Sequence, residues 1–327
     1  MLEYTIQPWK KDEATARSMR SVMMRALPIA PSSPIDTVCN VYKKLTDEYP
    51  SGTWVAYDQN KVIAFIMLFK GPSNHVARVT GGVLPQYQQM GIGSKLWSTL
   101  LAELPRYPDL THIQSRTFGS YTNSIKFIEK LTFKSIEKMI WLERSIDLPL
   151  SSFFKKKLER IPQSIQVMTA QNFKESRADW RHAWWSMEQE ALHDIPTQIG
   201  VTQLTLKEWS DWQQSPLCNL DHILLAVDGI KPVGILKFGM IPNRSVNIEL
   251  TVVAKSHRRM GISTLLKVYL INLAKTMNQT IISTQNHEAN HAIRQANLNF
   301  GFTEQHIMID YLYRVESSNT IELEDES

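Results

Sequence analysis

QYQQMGIGSKL (residues 86–96) and SHRRMGISTLL (residues 256–266) carry one pattern: polar residues, a methionine, a glycine, then a leucine-rich run. Gly91 and Gly261 lie 170 residues apart. At that offset Ala56 falls on Ala226, Asp58 on Asp228, Lys61 on Lys231, Pro72 on Pro242 and Val76 on Val246. Val83 falls on Val253, Met90 on Met260, Ile92 on Ile262, Leu96 on Leu266 and Leu100 on Leu270, all without a gap. A register held through strand, turn and helix marks duplication of a whole domain. The period is far longer than that of a solenoid repeat.

Each half then reads alike. A first strand (YTIQPW, SIQVMT) precedes a polar helical region. Two strands follow, joined by tight turns at Asp-Gln-Asn-Lys (58–61) and Asp-Gly-Ile-Lys (228–231), whose residue types suit a hairpin. Another strand (RVTGGVL, VNIELTVVA) runs into the glycine turn and an amphipathic helix. A further strand (HIQSRTF, TIISTQN) leads to a second helix and a last strand. This order predicts a mixed α/β fold, antiparallel first, with a strand–helix–strand unit later. The expected domains are 1–146 and 165–316. A basic, proline-containing linker covers 147–164, and 317–327 form an acidic tail.

The 327 residues suffice for two cores. A net charge of +4 demands no nucleic acid but helps attract a small polyanion. Cys39 and Cys218 are far apart and without metal-ligand spacing, so no disulfide framework or metal is expected, and a reducing cytoplasm fits. MLEYTIQPWKKDE lacks a signal-peptide apolar region, and VIAFIMLF at 62–69 is too short to span a bilayer.

A strand opening through a glycine turn onto a helix start makes an anion seat, because the first helical amides have no internal partner and the macrodipole favours negative charge. A dinucleotide fingerprint needs a third glycine, and a P-loop needs a longer interval ending in Gly-Lys-Ser/Thr; GIGSK supplies neither. The whole stretch VLPQYQQMGIGSKL resembles the acetyl-coenzyme A motif of the GCN5-related N-acetyltransferases (GNAT), Gln/Arg-x-x-Gly-x-Gly/Ala. Gln88, Gly91 and Gly93 fill it in the first half, and Arg258, Gly261 and Ser263 in the second. TQNHEANHAIRQANLNFGF (284–302) is similar to that family's later segment.

The resemblance implies two tandem acyl-CoA N-acyltransferase domains of α/β (α+β) class, each a mixed, mostly antiparallel splayed sheet flanked by helices. It implies acetyl-CoA along Thr251, Val252 and Val253, on Arg258, Arg259, Met260, Gly261, Ile262, Ser263 and Thr264, and beside Asn286 and Asn290. The first-half counterparts are Val83, Gln88, Gln89, Met90, Gly91, Ile92, Gly93 and Ser94. An amine acceptor, a small molecule or a peptide, attacks the thioester directly. Because a free amine has a pKa of about 10.4, a base or a dry pocket must help deprotonate it.

That family often places a glutamate four residues before the strand-end valine. This implies Glu249 as general base; Val79 stands at the first-half position. Simple alternation puts Ile248, Leu250 and Val252 on one face and Glu249 with Thr251 on the other. An edge ion pair is the alternative role for Glu249. The usual acid tyrosine is replaced by Asn297 and Ile128. Asn297 is then a candidate to hold a water or the pantetheine. The first half also has Thr132 for the glycine of Gly-Phe and Tyr121 for the helix-start asparagine. The expectation is catalysis in the second domain, with the reverse left open. The acceptor region there offers Trp184, Glu188, His193 and Asp194; a Trp-anchored amphipathic helix is the alternative. The first half has arginines in that place.

HEANH at 287–291 matches the His-Glu-x-x-His pattern of zinc proteases, which requires both histidines on one helix. Asn290 as N-cap would separate them. A non-catalytic acyl-CoA-binding or docking protein is a further reading, and neither nucleic acid nor a membrane is expected as partner. Acceptor identity and oligomeric state stay open.

Overall fold

A computed structural model describes residues 3–29, 35, 38–47, 51–73, 75–192, 204–214, 218–241 and 245–315. The chain forms two compact units, Met1–Glu137 with Met308–Ser327, and Lys138–Ile307.

The first unit opens with β1 (Thr5–Pro8), α1 (Glu13–Ala26) and α2 (Val38–Leu45). Asp12 caps α1, its carboxylate accepting from the Thr15 amide at 2.8 Å. Ala16, Met19, Val22 and Met23 form its buried stripe at helical spacing. Next come β2 (Gly52–Asp58), β3 (Lys61–Ser73) and β4 (Val76–Val83). Asp58 pairs with Lys61 across a two-residue turn, in which Gln59 takes a positive φ of 53°. Then follow α3 (Ile92–Glu103), β5 (His112–Phe118), α4 (Thr122–Lys130) and the start of β6 (Lys134–Ser145).

The second unit takes the rest of β6 and continues with α5 (Ser152–Glu159), β7 (Ile165–Thr169), α6 (Ala170–Ser176), α7 (Trp180–Leu192) and α8 (Leu206–Gln213). Its sheet is completed by β8 (Ile223–Asp228), β9 (Lys231–Ile241) and β10 (Ser245–Val253). Then come α9 (Ile262–Thr276), β11 (Ile281–His287), α10 (His291–Asn299) and β12 (Thr303–Arg314). Glycine in the turn Asp228–Lys231 again supplies a positive φ, 59° at Gly229.

Each unit is a six-stranded sheet whose last strand comes from the other half of the chain. In the first, Met308–Arg314 of β12 pairs antiparallel with β5. In the second, Met139–Ser145 of β6 pairs antiparallel with β11. All other pairs are antiparallel except β4–β5 and β10–β11. Residues 147–164 fold as part of the second unit. Phe154 of α5 is buried in its core, edge-on to Phe300 at 5.1 Å.

Simple alternation fails in β10. Ile248 opposes Phe238 and Leu250 opposes Lys237, so Glu249 is a bulge with no partner of its own. Val246 and Ile248 face the core under α9, whereas Leu250 and Val252 face the tryptophan-rich core of α6–α8. Ile248, Leu250 and Val252 therefore do not share a face: the extra residue reverses the pleat.

Candidate functional site

The parallel strands of the first unit pair only over Val76–Arg78 and His112–Gln114. Beyond Arg78 they part, and a cleft of about 490 Å³ opens between them. Its walls come from both strands, from the glycine turn and from α4. Gly91 enters α3 in the left-handed region, φ 82°, with nothing within 4 Å of where a Cβ would be. The amides that follow have no intrahelical partner and front the cleft at Ile92, Gly93 and Ser94. The Gln88 amide nitrogen donates to the Val83 carbonyl at 3.1 Å, tying the loop to the strand end. A Cβ at Gly93 would lie 3.1 Å from the Phe127 ring, a tight contact that favours a small residue there. Thr117 lines the cleft from β5, is 3% exposed, and its hydroxyl has no hydrogen-bond partner among the described residues. Such an orphan is costly unless something polar meets it.

The second unit repeats the turn and closes the space. Gly261 has φ 93°, and Arg258 donates to the Val253 carbonyl at 3.2 Å as Gln88 does to Val83. Yet Gly261 is buried: a Cβ there would meet Ile161 and Lys157, the latter on α5, at 3.4 Å. The strands again stop pairing early, at Ile248 and Thr284. The counterparts of cleft residues Trp97, Thr117 and Ile128 are Lys267, Asn286 and Asn297, and these three bond to one another. The Lys267 ammonium donates to Asn297 Oδ1, and Asn297 Nδ2 donates to Asn286 Oδ1 at 2.7 Å. Lys267 also lies over Phe300 and Phe302, 5.6 and 5.7 Å from their centroids. Burial, helped by the charge of Lys157, pulls its pKa down to about 8.

The bulge puts Glu249 over Gly239, where an added Cβ would sit 2.5 Å from Oε1. Its carboxyl keeps solvent contact on one side, and surrounding protein raises its pKa against the pull of Lys237. Lys237 itself bonds Glu188 and lies 4.6 Å over Trp212. Glu188 also accepts from Trp209 at 3.2 Å, so both its oxygens are taken in a buried network. Trp184 is wholly buried, edge-on to Trp209 at 4.9 Å, with its indole N–H unpartnered.

Of the residues singled out in the sequence, Val83, Gln88, Gln89, Gly91, Ile92, Gly93 and Ser94 meet at the open cleft, while Met90 points out, 54% exposed. In the second unit Thr251 has a buried, unpartnered hydroxyl and Val252 packs in the tryptophan core. Arg259 takes φ 67°, Met260 packs on the core, Ile262 and Thr264 are buried, and Ser263 is half-buried. Asn290 caps α10 by accepting from the Ile293 amide at 3.3 Å. His193 and Asp194 lie outside the described residues. His287 ends β11 and His291 opens α10, so HEANH does not lie on one helix. Thr117, Phe127 and Trp97 carried no local signal, because only strand parting and helix docking bring them to one space.

A family model described as "Acetyltransferase (GNAT) family" matches residues 19–133 and 178–302. The chain belongs to that family, as two tandem domains. A GCN5-related N-acetyltransferase from Sphaerobacter thermophilus is similar in structure, with TM-score 0.69, 15% identity and 96% of each chain covered. So is a tandem GNAT protein from the clavulanic acid biosynthesis pathway, with TM-score 0.70, 16% identity, and 97% of this chain and 100% of that one covered. At these identities the likeness is one of fold. No curated protein matches the sequence. Among the described residues no helix is long and apolar enough to cross a membrane.

Proposed function

We propose that the chain is an acyl-CoA-dependent N-acyltransferase whose cofactor seat is the open cleft of the first unit, with acetyl-CoA the donor and a primary amine the acceptor. The observation that carries this is the exposed Gly91 turn fronting a cleft that the strands leave open. The amides of Ile92, Gly93 and Ser94, at the positive end of α3, would hold the diphosphate. The unpartnered Thr117 hydroxyl and the unpaired edge of β4 beyond Arg78 offer hydrogen bonds to a pantetheine arm, so the residues fit the group. When bound, acetyl-CoA supplies an acyl thioester that a neutral amine converts to an amide with release of the thiol. Gly81 lines the cleft as bare backbone, because any side chain there would strike the Phe65 carbonyl of β3 at 2.4 Å. The low charge density of the cleft wall favours the neutral amine over its ammonium form.

A second reading places turnover in the second unit, favoured by the raised pKa of Glu249 on its bulge. Calorimetry with coenzyme A and a thiol-release assay with Glu249→Gln separate the two. Our reading expects one site per chain and unchanged turnover in the variant. A loss of most turnover would move catalysis to Glu249. Tight acetyl-CoA binding with no thiol released over a broad amine panel would leave a binding protein instead. The distant cysteines fit a reducing cytoplasm, which we propose as its compartment.

A further inference from the structure

We propose that the acceptor amine of the first unit carries an anionic group, a carboxylate or a phosphate, that docks on Arg78 beside the Arg116–Asp310 ion pair. This rests on the cofactor reading above. Arg78 opposes Gln114 in the last paired step of β4 and β5, and Arg116 lies two residues further along β5 on the same face. Val79 and Thr117, one residue on from Arg78 and Arg116, point to the other face, where Thr117 meets the cofactor cleft. The two arginines therefore stand on one face at the parting of the strands, where Arg116 reaches the cleft from the side opposite Thr117 and Arg78 lies beside it.

Among the described residues Arg78 has no carboxylate partner. Arg116 grips Asp310 through two hydrogen bonds of 2.7 Å, and Asp310 is 1% exposed, so that carboxylate is committed. Arg78 donates from Nε to Gln114 Oε1 at 3.3 Å, and its terminal nitrogens have no partner among the described residues. Burial and the charge of Arg116 both push its pKa down, against Asp310. Among the described residues no acidic one lines the cleft, whose charged residues there are Arg116 and Lys130. Asp58 and Glu129 accept from Tyr87 at 2.8 Å and Tyr311 at 3.2 Å. A planar guanidinium with free terminal nitrogens matches a carboxylate or phosphate. The second unit has Asn247 and Gln285 at the two arginine positions, so this preference belongs to the first.

The test uses the full chain and two matched pairs: L-lysine against cadaverine, and O-phosphoethanolamine against ethanolamine. Binding is read by calorimetry with coenzyme A present, and turnover by thiol release from acetyl-CoA. At least one anionic amine should bind and react about tenfold or more better than its neutral-tailed partner, as a charged hydrogen-bonded pair provides. Which pair shows it identifies the anion. Arg78→Ala should erase the preference through KM, and Arg78→Lys should restore part of it. Unchanged acetyl-CoA affinity and melting temperature would show that both variants fold. Equal binding and turnover within both pairs, or a preference that survives Arg78→Ala, overturns the proposal while leaving the cofactor seat standing. A chain that binds no acetyl-CoA overturns both.

Discussion

Gly91 and Gly261 hold the same turn with nearly the same left-handed backbone, but one is exposed and the other is roofed by α5 and Ile161. The two units surround that turn differently. The first has the open cleft, the orphan Thr117 hydroxyl and the paired arginines, but no carboxylate on its central strand. The second has the bulged Glu249, but a polar chain from Lys267 to Asn286 crosses its cleft. A duplicated turn is thus not a duplicated environment: packing from far along the chain covers one and leaves the other exposed.

Breaking the roof should have the largest effect. Phe154→Ala removes an aromatic ring from the second core and should cost about 3–5 kcal/mol in the unfolding of that unit. Denaturant titration would show it as an early transition; an unchanged curve would mean α5 is only laid on the surface. Gly91→Asp places a negative charge on the proposed diphosphate seat; a Cβ there has room, and the strain of its left-handed backbone is shared by the matching Gly261→Asp. Coenzyme A affinity should fall about 100-fold, roughly 2.7 kcal/mol. Gly261→Asp should leave that affinity unchanged, and equal losses in the two variants would sink the asymmetry.

Lys267 sharpens the contrast through pH. Its pKa is about 8 in the folded unit and about 10.4 in an unfolded chain. Below pH 8 both states are protonated and the folded unit bears the full penalty. From pH 8 to 10.4 the unfolded chain binds the extra proton, so stability rises with pH, by at most about 1.4 kcal/mol per unit. Melts of wild type against Lys267→Met should reveal that slope as their difference; parallel curves would mean the amine is solvated. The smallest effect lies at Thr132, held at φ 66° where Gly301 has 95°. Thr132→Gly should stabilise the first unit by about 1 kcal/mol, relief of left-handed strain being partly offset by backbone entropy.

Much of the architecture was legible in the sequence because it depends on local spacing. Hairpin turns, the glycine turns and the order of strands all follow from residues close in sequence, and the 170-residue register carried them across both halves. That register also misled. It aligned Val79 with Glu249, whereas strand pairing matches Val79 to Ile248 and leaves Glu249 as an insertion. An irregularity between Lys70 and Ser73 in the first unit restores the count, so no gap shows. Glu188 looked available as a polar residue on a helix; only packing revealed Lys237 and Trp209 as its partners.

The sequence by itself determined the duplication, the mixed α/β order and the two glycine turns, since each is set by neighbours within a few residues or by one fixed offset. Tertiary structure alone decided that the last strands are exchanged, that Phe127 crowds position 93 while the second unit, with Ala296 at the corresponding place, carries Ser263, and that a cleft opens beside Gly91. Those outcomes depend on contacts between residues far apart in the chain, which no local pattern records.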